Sequence, residues 1–172
     1  MYPCFKRIAI AFLFVVSSQL PTTGFAQEQI NVIYNARNQF CLTKVGNDVG
    51  DNVAGMNCYP GVPDQTWRIH YIDNSNFYIF SQAGECLGMN RHGYIFLRGC
   101  STSKELHWYR WQNPNFGYGG GPWSMLVNLG AEIGSGQAKC MHMPQRTSDY
   151  KTRVFGWTCN ASNEMAWRIG MP

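Results

Sequence analysis

Histidine, cysteine, serine and acidic side chains are the groups here that could hold a metal, attack a carbonyl or move a proton, and their spacing sets up none of these reactions. The four histidines, His70, His92, His107 and His142, stand singly, with no His-Glu-x-x-His pair to clamp zinc from one helix face. None of the seven cysteines forms a Cys-x-x-Cys pair. Gly134-Ser135-Gly136 places a serine between glycines but lacks the Gly-x-Ser-x-Gly elbow, so it reads as a turn. The run Gly117-Tyr118-Gly119-Gly120-Gly121 is not followed by the Gly-Lys-Ser/Thr that would cradle a phosphate. Ten acidic residues are enough for glycoside hydrolysis if two face each other about 5 to 9 Å apart, yet no pair is marked out for that geometry. The expectation is a binding protein rather than an enzyme, with no metal and no cofactor.

The cysteines suggest a different chemistry. Lys6 and Arg7 precede an apolar run, Ile8 to Val16, and a polar stretch closes on Gly24-Phe25-Ala26, the pattern of a secretory leader cut after Ala26. Nine apolar residues fall well short of the roughly 20 needed to span a bilayer. The expected mature chain is residues 27–172, a single domain without a membrane span, exported to the extracellular space or periplasm. Cys4 leaves with residues 1–26, and an even six remain, as in a disulfide framework. Losing two basic residues lowers the formal charge from +4 to +2, too weak to suggest nucleic acid as a partner.

The elements that must position these side chains come in triplicate. A strand-like run, a Cys followed by an aliphatic residue, a second Cys and a Trp recur as Ile30–Tyr34, Cys41-Leu42, Cys58, Trp67; as Phe77–Phe80, Cys86-Leu87, Cys100, Trp108; and as Met125–Leu129, Cys140-Met141, Cys159, Trp167. The second Cys stands 9, 8 and 8 residues before its Trp. Six cysteines admit 15 pairings; the repeat selects the one within each unit, Cys41-Cys58, Cys86-Cys100 and Cys140-Cys159. Unit boundaries fall at about 28–72, 73–112 and 123–172, with the glycine-rich insert 113–122 absorbing the third unit's extra length. Short β-branched and aromatic runs between Gly, Pro, Asn and Asp clusters predict an all-β class, and no window sustains a helical period over three turns. Trp67, Trp108 and Trp167 are expected in a shared core near a pseudo-threefold axis.

These units, above all Gln65-Thr66-Trp67, resemble the Gln-x-Trp repeats of the ricin B-type (R-type) lectin domain over essentially the whole mature chain. The resemblance implies a β-trefoil, six barrel strands with three hairpins, and shallow carbohydrate pockets, up to one per repeat. In that family a pocket uses an Asp two residues after the first Cys, an aromatic platform before the second Cys and a carboxamide before the Trp. A sugar's C–H face stacks on a ring while its hydroxyls need fixed acceptors and donors. Here the Asp position reads Thr43, Gly88 and His142, and the platform position Met56, Arg98 and Trp157. The usual galactose site is therefore altered in every unit.

Only the third unit supplies a ring, so the candidate pocket there comprises Trp157 as platform, His142 as donor or acceptor, and Glu164 as hydroxyl acceptor. Trp157 could equally be a core aromatic and His142 an ordinary loop histidine. In the first unit Asp64 and Gln65 are further candidates, Gln65 alternatively holding the repeat together. Arg98 and Glu105 in the second unit read as a surface ion pair, with Tyr94 nearby. Asn160-Ala161-Ser162 also matches the N-glycosylation acceptor pattern. The leading functional expectation is a secreted lectin-like protein whose partners are glycans or glycoproteins. The alternative is a protein- or cell-surface-binding subunit of a secreted, toxin-like assembly, for which the aromatic content of 15% and Tyr118 and Trp123 would supply contact area.

Overall fold

The computed structural model describes residues 30–46, 52–112, 123–145 and 151–170. The expected leader (1–26) and the glycine-rich insert (113–122) lie outside them. The first unit forms β1 (Ile30–Asn35), β2 (Phe40–Lys44), β3 (Val53–Asn57) and β4 (Thr66–Tyr71); the second β5 (Asn76–Phe80), β6 (Cys86–Met89), β7 (Ile95–Arg98) and β8 (Trp108–Trp111). The third repeats the pattern with β9 (Met125–Asn128), β10 (Lys139–His142), β12 (Phe155–Thr158) and β13 (Trp167–Gly170), adding a short helix α1 (Leu129–Ser135) and strand β11 (Lys151–Arg153).

Outer strands of the units join into a ring. β1 pairs with β4 and β13, β5 with β4 and β8, and β8 with β9. Ser124 closes the ring by exchanging two backbone hydrogen bonds of 2.9 Å with Trp167. The inner strands form three hairpins, β2–β3, β6–β7 and β10–β12. This is a β-trefoil. Its threefold repeat extends to atoms: Trp67, Trp108 and Trp167 are fully buried, and each indole N–H donates to the carbonyl one residue past its unit's first cysteine, Leu42 at 2.9 Å, Leu87 at 2.8 Å and Met141 at 2.8 Å. A buried indole needs such a partner, which is why Trp recurs in fixed register with a Cys-aliphatic pair. The three disulfides join Cys41 to Cys58, Cys86 to Cys100 and Cys140 to Cys159, as the repeat requires.

Two features depart from the sequence reading. The third unit's surplus is not confined to the glycine-rich insert, because residues 129–138 connect β9 to β10 where the other units need only 36–39 and 81–85. Helix α1 fills that connection: the Asn128 side chain caps it by accepting from Ala131 N at 3.0 Å, and Gly136 ends it at φ 67°. Seven residues are too few to display a helical period, although the capping signals stand in the sequence.

The units are also joined unequally. Asn35 Nδ2 donates to Glu164 O at 3.1 Å, and Asn128 Nδ2 makes the same link to Glu105 O at 2.8 Å. At the joint between the first two units this place falls to Ser81, whose hydroxyl instead donates to Glu85 Oε2 at 2.9 Å. Lys44 reaches across from the first unit to the same Glu85 oxygen at 2.6 Å. The Lys44 hydrogen bond pulls the Glu85 carboxyl below its ordinary value of 4.5, burial opposing and Ser81 adding to the effect. A carboxylate depressed on folding contributes stability that is complete above that ordinary value and fades as pH falls through the folded one. Glu85→Gln is therefore expected to cost about 1 kcal/mol or less at pH 7. The gap between wild-type and variant melting curves should close as pH drops below 4.5.

Candidate functional site

A pair of glycines brings the second unit onto the third. The turn between β6 and β7 is organised by Asn90, whose side-chain oxygen accepts from the amides of His92 and Tyr94, both at 3.0 Å. Gly93 sits in this turn at φ 90°, and its carbonyl accepts from Gly156 N at 2.7 Å, in the middle of β12. A Cβ on Gly93 would run into the Gly156 carbonyl, and one on Gly156 into the Met89 side chain. With neither Cβ present, the turn rests directly on β12. The neighbours of Gly156, Phe155 and Trp157, point to the strand's other face and stand beside His92 and Tyr94.

The result is a cleft of about 260 Å³ lined by His92, Tyr94, Lys139, Arg153, Phe155 and Trp157 with the two glycines. Trp157 is 55% exposed and Tyr94 49%, and both rings line the same concavity. The Arg153 guanidinium lies 5.7 Å from the Phe155 ring centre. No carboxylate lines the cleft among the described residues.

The sequence candidates distribute unevenly around it. Trp157 forms its wall. His142 is paired with Phe155 across the β10–β12 ladder, their ring centres 4.9 Å apart, and Phe155 meets Trp157 edge-on at 6.1 Å. Phe155 thus stands between Trp157 and His142. Burial pushes the His142 imidazole below the usual histidine range, the Glu164 charge pulling the other way, and its Nδ1 is buried without a hydrogen-bond partner. Glu164 lies further along, its carboxylate 3.7 Å from Arg37 Nε, and does not line the cleft.

In the first unit Gln65 and Asp64 diverge. Gln65 is buried; its amide donates to Thr43 Oγ1 at 3.1 Å and Asn57 O at 2.7 Å, and its oxygen accepts from Tyr59 N at 2.7 Å. Both amide protons are thereby used inside the repeat. Asp64 is exposed, over a hollow of about 40 Å³ shared with Lys44 and Ser81. The family's Asp position is closed in two units: Thr43 is buried against Gln65, and a Cβ on Gly88 would collide with Phe96 and Leu106. In the second unit Arg98 pairs with Glu105 at 3.1 Å and covers the Phe96 ring at 4.7 Å, while Tyr94 turns to the cleft.

Sequence reading missed His92, Lys139, Arg153 and Phe155: His92 arrives from the second unit, and the other three come together with Trp157 only once β10, β11 and β12 are folded. The available signal was Phe155-Gly156-Trp157, two rings flanking a glycine in a strand, where a glycine marks close approach of another backbone. A second concavity of about 640 Å³ runs beside the Cys41–Cys58 bridge, lined mostly by apolar groups including Ile30, Val32, Tyr59 and Pro60. Among the described residues no three His, Cys, Asp or Glu side chains gather as a metal site, and no helix is long and apolar enough to cross a membrane.

No family model and no curated protein matches the chain. Solved structures do. ThreeFoil, a designed threefold-symmetric protein, superposes with a TM-score of 0.64 at 17% identity, covering 82% of this chain and 97% of its own. A chain of the cytolethal distending toxin from Actinobacillus actinomycetemcomitans gives 0.66 at 12% identity, covering 83% and 91%. A Culex quiquefasciatus salivary protein of the Cysteine and Tryptophan-Rich family gives 0.61 at 19% identity, covering 84% and 94%. At such identities the likeness is one of fold.

Proposed function

We propose that this chain is a secreted, non-catalytic carbohydrate-binding protein that takes a glycan terminus at the cleft between its second and third units. The observation that carries the reading is the exposed Trp157 ring facing Tyr94 and His92 across a concavity the size of one sugar. About 260 Å³ falls below the roughly 300–1,000 Å³ of drug-sized pockets. A single pyranose stacked on Trp157 suits that volume, with His92 and Tyr94 offering polar groups to its hydroxyls. His142 packs against Phe155 and enters the reading as a support of that wall, while Glu164 faces Arg37 and does not line the cleft. Three disulfides support export to an oxidising compartment.

Trp157→Ala tests it on a glycan array, with the protein multimerised because a shallow single-sugar site binds weakly. The expected result is loss of the array signal by about tenfold or more. Stability should stay within about 0.5 kcal/mol, since the ring is exposed. An unchanged signal, or none from the wild type, refutes the reading.

A second reading rests on a different observation, the apolar groove lined by the exposed Ile30 and Tyr59. Such surface suits a protein partner, as in a toxin-like assembly. A stoichiometric partner co-purifying from the native source, lost on Tyr59→Ser, would favour it.

A further inference from the structure

The glycan reading leaves open what kind of sugar the cleft selects, and its charges answer that. We propose that the cleft prefers a sugar bearing a negative charge, a carboxylate or a sulfate ester, over its neutral counterpart; this rests on the carbohydrate reading above. Two cations, Lys139 from the start of β10 and Arg153 from the end of β11, line the space beside Trp157, and His92 lines it too, its Nε2 accepting from Arg91 Nε at 3.2 Å. Three glutamates elsewhere on the surface have cationic neighbours of their own: Glu164 faces Arg37, Glu85 faces Lys44 and Glu105 faces Arg98. None of them lines the cleft.

The charge arrangement runs opposite to a neutral-sugar site. Neutral hydroxyls are usually fixed by a carboxylate, which accepts from two of them at once. Among the described residues the cleft has no carboxylate, so a neutral sugar's hydroxyl protons meet only neutral acceptors such as the Tyr94 hydroxyl, while a carboxylate or sulfate would be met by charge-assisted bonds from Lys139 and Arg153. The Arg153 guanidinium lies 5.7 Å from the Phe155 ring centre, and that ring meets Trp157 edge-on, which places the cation next to the stacking platform. A sugar stacked on Trp157 would carry its acidic substituent toward Arg153 and Lys139.

The test is an array on which each neutral terminus is printed beside its carboxylated and its sulfated forms, probed with the full secreted chain, with the Lys139→Gln/Arg153→Gln double variant, and with Lys104→Gln. The last removes a charge from the turn before Trp108, away from the cleft. The wild type is expected to bind a charged form about tenfold or more above the neutral one, a preference that weakens as salt rises. The double variant should lose the preference and Lys104→Gln keep it; whether carboxylate or sulfate gives the stronger signal names the group. Equal binding of neutral and charged forms, or a preference that survives the double variant, overturns the inference while the carbohydrate reading stands. Absence of binding to any glycan overturns both.

Discussion

Trp108→Ala is expected to lower the unfolding free energy by about 3–5 kcal/mol, the cost of emptying a large aromatic site in a close-packed core. The indole is wholly buried, and its N–H is held by the Leu87 carbonyl at 2.8 Å. Removal therefore leaves both a cavity and an unpaired buried carbonyl. Trp108→Phe separates the two effects: it restores much of the ring but not the donor, so about 1–3 kcal/mol attributable to the orphaned carbonyl should remain. Because Trp67 and Trp167 make the same bond to Leu42 and Met141, the three Trp→Phe variants should cost similar amounts. Denaturant unfolding at unchanged m-value reads this directly. A Trp→Phe variant as stable as wild type would mean that the recurring bond is a by-product of packing.

This triplication is also why the fold was legible. Each unit must bury one indole, give its N–H a carbonyl and close a short loop with sulfur, and each requirement leaves a rare residue type at a fixed spacing. The joints between units leave no such trace. Asn35 and Asn128 reach the carbonyls of Glu164 and Glu105 across 129 and 23 positions, distances over which spacing carries no information. The candidate site shares this property. Trp157 was visible from its place before Cys159, but its cleft-mates His92 and Tyr94 belong to another unit. Of the residues chosen for their positions within the third unit, His142 meets the Phe155 ring, which in turn meets Trp157, and Glu164 faces Arg37 instead of lining the cleft. Gln65 reads in sequence either as a ligand contact or as a brace of its repeat, and the structure places its amide against Thr43 and Asn57.

Gly93→Ala should affect that joint more than any exposed substitution, and a matched variant isolates the reason. Gly93 and Gly61 both have positive φ, 90° and 76°, so an alanine at either meets the left-handed backbone penalty of about 1–2 kcal/mol. At Gly61 nothing lies within 4 Å of the added Cβ, so that penalty should be the whole effect. At Gly93 the Cβ also runs into the Gly156 carbonyl, a backbone atom that cannot rotate away, so the turn must lift off β12 or push the strand. The expected cost rises to about 2–5 kcal/mol, strain and overpacking together. Lifting the turn also carries His92 and Tyr94 away from Trp157, so Gly93→Ala should lose glycan binding at temperatures where it is still folded, and Gly61→Ala should retain it. Equal destabilisation of the two variants would show that the turn yields freely, and the cleft would then owe its shape to something other than this glycine contact.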